Sequence, residues 1–146
     1  MSDTDTHERV SPSAIKVLFI DPNEEVRQEW ADRLMRCSAE YVVLQVAEGR
    51  TGVRLVKSEP VDCVVLELDV RDRNGLSVLM DLVGYAHNPQ IAVVVLTTFP
   101  LDALCQLAFQ NGAQSCMRKD QNSVEDLDLA IRRAIAVVGP NKNRAA

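Results

Sequence analysis

Four polar side chains that could act together on a cation or a phosphoryl group follow short apolar runs of the chain. They are two carboxylates, one hydroxyl and one ammonium: Asp21, Glu67, Thr97 and Lys119. Adjacent carboxylates repel each other unless a cation lies between them, and either a lysine or Mg²⁺ can supply that charge. A carboxylate, a hydroxyl and a lysine around a metal could stabilise a phosphoryl group in transfer. Because strand ends are commonly polar, these four residue types alone also allow a purely structural interpretation.

The segments that end at these residues have the pattern of strands that are buried on both faces. Lys16–Ile20, Val61–Leu68 and Ile91–Leu96 are short, continuous and rich in Val and Ile, which is typical of parallel sheets. Two further segments are strand candidates, Tyr41–Val46 and the weaker Ser115–Lys119.

Helical patterns separate these strands. The predicted helices are Asn23–Cys37, Arg50–Lys57, Gly75–Tyr85, Leu101–Asn111 and a last helix that Ser123 opens as N-cap. Strands and helices that alternate five times predict an α/β fold with right-handed crossovers and a central parallel sheet. The binding crevice of such a fold lies at the carboxyl ends of the strands, where the four polar side chains would meet.

Composition sets the outer limits of the interpretation. The 146 residues suit one domain, which we place at residues 15–138, with a flexible segment at 1–14 and a flexible tail at 139–146. The net charge of −5 argues weakly against nucleic acid as the main partner. We find neither a secretory signal nor an apolar run long enough to span a bilayer. None of the four cysteines forms a C-x-x-C pair, so we expect reduced, packed thiols in a cytoplasmic protein.

Four segments carry a resemblance to a known family. VLFIDPNEEVRQ, DCVVLELDVRDRNGLSVL, AVVVLTT and GAQSCMRK together resemble the response-regulator receiver domain, of the chemotaxis-regulator type, from about Ile15 to Val137. The resemblance implies a flavodoxin-like five-stranded sheet with strand order 2-1-3-4-5. It also implies that Thr97 is the phosphate-sensing hydroxyl, that Lys119 pairs with the phosphorylated carboxylate, and that Asp21 is the first of two acidic residues at a Mg²⁺ site.

Three positions depart from the family pattern, so the resemblance is to a degenerate, or pseudo-receiver, variant. Pro22 replaces the second acidic metal ligand, Glu67 replaces the phosphoacceptor aspartate, and Cys116 replaces the aromatic switch residue. Mg²⁺ tolerates a missing ligand poorly, so we expect no cofactor, or a weakened Mg²⁺ site at Asp21 and Glu67. Asp120 follows Lys119 where the family often has a cis-proline, and we expect a trans peptide or a shifted loop.

Three interpretations of Glu67 remain open. Its longer side chain could approach Lys119 and Thr97 and imitate a phosphorylated aspartate. Alternatively, the site has lost its chemistry and Glu67 is a solvated strand-end carboxylate paired with Lys119. In the third interpretation Asp69 accepts the phosphoryl group, because residues two apart on a strand share a face. Independently of these three, we interpret Asp72 as a loop carboxylate and not as a ligand.

The predicted function is protein–protein signalling in a two-component phosphorelay, with a histidine kinase or a downstream protein as partner. We expect no enzymatic activity beyond self-phosphorylation and dephosphorylation, no nucleic-acid or membrane partner, and no output domain after Val137. A homodimer could form through the fourth helix, fifth strand and fifth helix, with the candidate residues Leu101, Leu104, Cys105, Met117, Arg118, Arg132 and Arg133. The alternatives are a phosphorylation-competent receiver that uses Glu67 or Asp69 with Mg²⁺, and a nucleotide- or flavin-binding domain. The chain has DPNEE after its first strand, with no Gly-rich phosphate loop, so the last alternative ranks lowest.

Overall fold

The computed structural model describes residues 14–98 and 102–142. Five strands form a parallel sheet: β1 Ile15–Ile20, β2 Tyr41–Val46, β3 Cys63–Leu66, β6 Ala92–Thr97 and β7 Ser115–Arg118. The two-residue strands β4 Gly84–Tyr85 and β5 Asn88–Pro89 form a separate hairpin, and the order in the sheet is β2-β1-β3-β6-β7. Since β6 and β7 are the fourth and fifth strands of this sheet along the chain, the predicted order 2-1-3-4-5 is confirmed.

Four helices connect these strands and a fifth follows the last one: α1 Glu24–Cys37, α2 Gly49–Ser58, α3 Gly75–Val83, α4 Asp102–Gln110 and α5 Val124–Val138. Local sequence explains several of their ends. The Asn23 side chain accepts a hydrogen bond from the N–H of Val26 and begins α1. Ser123 begins α5 with a capping box that includes Asp126. Gly112 follows α4 with φ +100°, a backbone conformation that favours glycine.

The sheet is covered on both faces, as its uniformly apolar strands require. On one face, Trp30 and Leu34 of α1 and Leu127 and Ile131 of α5 form a core with alternate strand residues. On the other face, buried side chains of α2, α3 and α4 form the second core, which includes Val53, Val56, Val78, Leu79, Leu82 and Ala108. This two-sided arrangement holds the carboxyl ends of the strands in fixed register.

Two predicted elements are shorter in the structure. The third strand covers Cys63–Leu66, within the predicted Val61–Leu68. The third helix ends at Val83 and not at Tyr85, because Gly84 adopts φ +79° and the chain turns into a small antiparallel hairpin, β4 Gly84–Tyr85 and β5 Asn88–Pro89. Sequence reasoning missed this hairpin.

The chain after α5 contacts the domain as far as the structure describes it. The Lys142 ammonium donates to the carbonyl of Pro89 at 2.8 Å, and the Asn141 amide donates to the carbonyl of Val56 at 3.1 Å. Ordered contacts thus continue beyond the predicted domain end at residue 138. Residues 1–13 of the predicted flexible segment 1–14 and the last four residues of the predicted tail, 143–146, lie outside the described residues. Within the described part of the chain, no helix has the length and apolar character needed to cross a membrane.

Candidate functional site

The fold brings the four predicted site residues to one edge of the sheet. Asp21 directly follows β1, Glu67 follows β3, Thr97 is the last residue of β6 and Lys119 follows β7. Parallel pairing aligns these strand ends, so residues far apart along the chain become neighbours. Asp21, Glu67 and Thr97 are all buried, and they are the buried polar residues among those that the structure describes.

Lys119 bridges the two carboxylates of the site. Its ammonium lies 2.6 Å from Oδ2 of Asp21 and 2.8 Å from Oε1 of Glu67. The lysine side chain is 11% exposed, so solvent screens this network only weakly. A single protein cation therefore neutralises the repulsion that two adjacent buried carboxylates would otherwise produce.

The Glu67 carboxylate accepts four hydrogen bonds. Oε2 accepts from the hydroxyl of Thr97 at 2.5 Å and from the backbone N–H of Asp69 at 3.0 Å. Oε1 accepts from Lys119 at 2.8 Å and from the backbone N–H of Thr98 at 3.3 Å. The longer side chain does reach both Lys119 and Thr97. Glu67 is 4% exposed, so the interpretation of a solvated strand-end carboxylate is wrong, although the expected pairing with Lys119 is present.

The contacts of the site set the direction of two pKa shifts. Burial opposes ionisation of Glu67, but hydrogen bonds from Lys119, from Thr97 and from the N–H of Asp69 outweigh it and hold the pKa of Glu67 below its ordinary value. Burial also disfavours the charged form of Lys119, but its hydrogen bonds to Asp21 and Glu67 prevail and raise the pKa of Lys119. Both groups are charged at neutral pH, and each stabilises the charge of the other.

The donor set does not fit the Mg²⁺ ion that the resemblance implies. Asp21 already accepts from the N–H of Asn23 through Oδ1 and from Lys119 through Oδ2. Pro22 has no side-chain oxygen, and both oxygens of Glu67 are engaged. Over residues 14–98 and 102–142, no group of three or more His, Cys, Asp or Glu side chains is arranged to hold a metal. A hard cation at these oxygens would lie next to the Lys119 ammonium and would have to compete with it for Asp21 and Glu67.

Asp69 lies at the mouth of the site and not within it. Asp69 is exposed to solvent, while its backbone N–H donates inward to Glu67. It lines a cavity of about 350 Å³ that it shares with Lys119 and Thr98. The structure thus places Asp69 in the same crevice, with its backbone N–H bonded to Glu67 and its carboxylate outside the hydrogen-bonded network of Asp21, Glu67 and Lys119.

Asp72 caps a neighbouring helix. Its two carboxylate oxygens accept the backbone N–H groups of Gly49 and Arg50, each at 3.0 Å. Burial opposes ionisation of Asp72, but these two hydrogen bonds prevail and lower its pKa. The contact explains why α2 begins without a cap from its own Glu48 side chain. A loop carboxylate was predicted, but its partner could not be, because the contact spans more than twenty residues.

The Asn74-Gly75 pair begins α3 directly beside the site. The Asn74 side chain accepts from the N–H groups of Leu76 and Ser77. A Cβ atom at Gly75 would lie 2.0 Å from the carbonyl oxygen of Leu68, so only glycine fits against this loop. The helix start thereby fixes the loop that follows Glu67.

The cysteine prediction was wrong for one pair. Cys105 of α4 and Cys116 of β7 form a disulfide with Cα atoms 5.8 Å apart. Cys37 and Cys63 are free thiols. The residue at the aromatic switch position is thus covalently tied to the neighbouring helix.

Lys119 and Asp120 are joined by a trans peptide, as predicted for a non-proline residue at position 120.

The predicted partner face is only partly as expected. Leu104 and Cys105 are half-buried, Met117 is buried and Arg133 is exposed, whereas Leu101 lies outside the described residues. Arg118 is turned to Asp120 in an exposed ion pair.

Arg132 belongs to a cluster of polar and aromatic contacts. It forms ion pairs with Asp128 and Glu40 and lies over the ring of Tyr41, 5.4 Å from the ring centroid. The Tyr41 hydroxyl donates to Asp128 at 2.5 Å. This cluster joins α5 to the start of β2. The inclusion of Arg132 in the partner face stays a prediction.

The fold and site define a doubly wound α/β signalling module of the receiver type. The model of the response regulator receiver domain matches residues 17–132, and the chain belongs to this family. This membership supports the receiver function over the nucleotide- or flavin-binding alternative.

Curated relatives and solved structures agree with this assignment. The chain is 30% identical over 120 residues to the response regulator protein VraR of Staphylococcus epidermidis and, equally, to the transcriptional regulatory protein LiaR of Bacillus subtilis. Each match covers 82% of this chain and 56% of the relative. The receiver domain of the sensor histidine kinase PA1611 of Pseudomonas aeruginosa, crystallised with a magnesium ion in its active site cleft, has the same fold: TM-score 0.69, 19% identity, 84% of this chain and 98% of that one.

The chain thus spans about half the length of the curated relatives that it matches. One of them is named as a transcriptional regulator, so the comparisons do not support the expectation that nucleic acid is excluded from the function.

Proposed function

We propose that this chain is an atypical receiver domain that acts in a two-component pathway by protein–protein binding, with Glu67 in the place of a phosphorylated aspartate. The observation that carries the proposal is the Glu67 carboxylate, which is buried and accepts hydrogen bonds from Lys119 and Thr97. These are the lysine and the hydroxyl that the receiver pattern assigns to the phosphorylated state. A permanent negative charge held by both would favour an active-like arrangement without phosphorylation. The partner would be a histidine kinase or a downstream signalling protein of the cytoplasm.

The same contacts disfavour Glu67 as a phosphoacceptor. A nucleophilic carboxylate oxygen must be free to attack, yet each oxygen of Glu67 accepts two hydrogen bonds. Ion pairing with Lys119 and the lowered pKa both reduce its nucleophilicity. Attack would require Lys119 and Thr97 to release the carboxylate in a buried site.

The first experiment measures phosphorylation. The full chain is incubated with Mg²⁺ and acetyl phosphate, and its intact mass is then recorded. We expect no phosphoryl adduct and no Mg²⁺-dependent binding of beryllofluoride. A stoichiometric adduct would contradict the proposal, and peptide mapping would then assign it to Glu67 or to Asp69.

The second experiment measures partner binding. Glu67→Gln removes the charge and keeps the shape, whereas Glu25→Gln makes the same change on an exposed residue of α1. Both variants are compared with the wild type against the histidine kinases of the source organism. We expect Glu67→Gln to weaken the strongest interaction by roughly tenfold or more, a difference of about 1.4 kcal/mol, and Glu25→Gln to leave it unchanged. Equal binding by all three proteins would show that the charge of Glu67 has no signalling role.

A second candidate function is a phosphorylation-competent receiver with Asp69 as acceptor. Asp69 is exposed and lines the same cavity as Lys119 and Thr98, so a small phosphodonor could reach it. Asp69→Asn would then abolish an adduct that Glu67→Gln leaves intact.

A further inference from the structure

The Cys105–Cys116 bond joins α4 to the last strand of the sheet. The two residues are 11 positions apart, and their Cα separation of 5.8 Å is ordinary for a disulfide. Both residues are half-buried, so a small thiol or disulfide reagent can approach them. Cys63, in contrast, is fully buried, and burial raises the pKa of its thiol. The environment therefore selects the pair Cys105 and Cys116 for thiol chemistry over Cys63.

Helix α4 buries fewer residues than α3 or α5, so its attachment to the sheet depends more on a covalent bond. Ala108 is its one buried residue in the range 102–110, and Leu107 and Phe109 are 44% and 47% exposed. Helix α5, of 15 residues, buries Leu127, Ile131 and Ala134, and the nine-residue α3 buries five of its residues. Since apolar burial supplies most of the energy that holds a helix on a sheet, the disulfide is a major tie between α4 and β7.

Chain neighbours of both cysteines belong to the Glu67 site. Leu104, the neighbour of Cys105, lines a cavity of about 530 Å³ together with Glu67 and Thr97. Cys116 pairs in register with Val95 of β6, and the same strand leads three residues later to Lys119. A change in the bond would alter how firmly α4 is held beside the cavity while the sheet itself stays intact.

We propose that Cys105 and Cys116 form a reversible thiol–disulfide site that responds to low-molecular-weight disulfides and controls the attachment of α4 to β7 beside the Glu67 cavity. One protein thiolate attacks a small disulfide RSSR, forms a mixed disulfide and releases one RS⁻. The second protein thiolate attacks the mixed disulfide, closes the Cys105–Cys116 bond and releases the second RS⁻. The two protein sulfurs are oxidised, RSSR is reduced to two RSH, and the protons of the protein thiols are taken up by the released thiolates. This inference goes beyond the proposed function and does not depend on it.

Thiol counting tests the bond directly. The full chain is equilibrated in mixtures of oxidised and reduced glutathione, denatured, alkylated with a maleimide, and measured as intact mass. Of the four cysteines we expect two labels in the oxidised state, on Cys37 and Cys63, and four in the reduced state. Cys37→Ser should keep the difference of two labels, and Cys105→Ser should lose it. Four labels at every glutathione ratio would overturn the proposal.

Hydrogen exchange tests the mechanical consequence and needs no variant. Wild-type protein is compared in the two redox states, and peptides of α4 (102–110) are followed against peptides of α5 (124–138) as internal reference. We expect exchange in α4 to accelerate by roughly tenfold or more on reduction, with α5 unchanged. Equal exchange of α4 in both states would refute control of the helix, even if the thiol count changed.

Discussion

Removal of the Lys119 ammonium should destabilise the domain far more than removal of a surface cation. Lys119→Met keeps most of the aliphatic stem but leaves Asp21 and Glu67 as facing, uncompensated carboxylates. These residues are 6% and 4% exposed, and their contacts with the ammonium are 2.6 and 2.8 Å long. Breaking a buried ion pair from one side typically costs about 3–5 kcal/mol. With a urea dependence of about 2 kcal/mol per molar, the unfolding midpoint should fall by about 2 M.

The adjacent residue provides a matched control. Arg118 forms an ion pair with Asp120 at 2.8 Å, but the two side chains are 40% and 58% exposed. An exposed pair contributes about 0–1 kcal/mol, so Arg118→Met should move the midpoint by less than about 0.5 M. The two variants therefore compare similar ion-pair distances at very different burial.

The pH dependence identifies the cause of the loss. In the wild type, the lowered pKa of Glu67 means that its stabilisation is present above the unfolded value of about 4.3 and is lost as pH falls through the folded pKa. The raised pKa of Lys119 means that its stabilisation is present below about pH 10.4 and is lost as pH rises through the folded pKa. The contribution of the site to the free energy of unfolding should therefore be constant between about pH 5 and 9.

In Lys119→Met the direction of the pKa shift should reverse for one of the two carboxylates, Asp21 or Glu67. Without the ammonium, repulsion between them and burial raise the folded pKa of that carboxyl group above its unfolded value. The variant should therefore gain stability as pH falls from about 7 to 5. Urea unfolding at pH 7.5 and pH 5 measures this change, and Glu67→Gln in the Lys119→Met background should restore part of the stability at pH 7.5. A loss at pH 7.5 no larger than that of Arg118→Met, or a loss that does not change with pH, would refute the charge argument.

Three further changes test other parts of the structure. Tyr41→Phe removes the hydroxyl that donates to Asp128 at 2.5 Å and should cost about 1.5–3 kcal/mol in urea unfolding; a cost below about 0.5 kcal/mol would mean that the bond is not formed in solution. Under oxidising conditions Cys105→Ser should lose about 3 kcal/mol, the entropy of closing an 11-residue loop, and calorimetry under reducing conditions should show little difference from the wild type. Glu67→Asp alone should not bind beryllofluoride with Mg²⁺, whereas Glu67→Asp combined with Pro22→Asp should gain that binding; tight binding by the single variant would show that the missing ligand at position 22 is unimportant.

The sheet and the site were predictable because both depend on patterns that lie within short segments. An unbroken apolar run such as Ile91–Leu96 must be buried on both faces, and this requirement fixed the layered fold. Parallel strands then align their carboxyl ends, so Glu67 and Lys119 had to meet although 52 residues separate them. The contact in which the Thr97 hydroxyl donates to Glu67 could be predicted because a glutamate side chain is one methylene longer than an aspartate.

The features that were missed depend on how distant elements are oriented. The α3 helix ends early because Gly84 adopts a positive φ, and a hairpin of two-residue strands has no periodic pattern to reveal it. The disulfide requires Cys105 to face Cys116 across two elements, which neither spacing nor composition indicates. Arg132 faces Tyr41 because α5 packs beside α1, and this choice of helix face follows from tertiary packing.

Glu67 and Pro22, which both depart from the receiver pattern, favour the same state of the site, in which Lys119 neutralises the two carboxylates. Lys119 has three N–H donors, and two of them serve Asp21 and Glu67 in place of an external cation. A proline at position 22 offers no side-chain oxygen that would favour a metal over the lysine, and the carboxylate of Glu67 already accepts the hydroxyl hydrogen of Thr97. The two residues are compatible with each other, because Lys119 supplies the positive charge that Asp21 and Glu67 require and neither Pro22 nor Glu67 leaves a free carboxylate oxygen beside it. The two proposed signals, binding of a protein partner and reduction of the Cys105–Cys116 bond, therefore do not require the Asp21–Lys119–Glu67 network to be broken, because neither cysteine takes part in it.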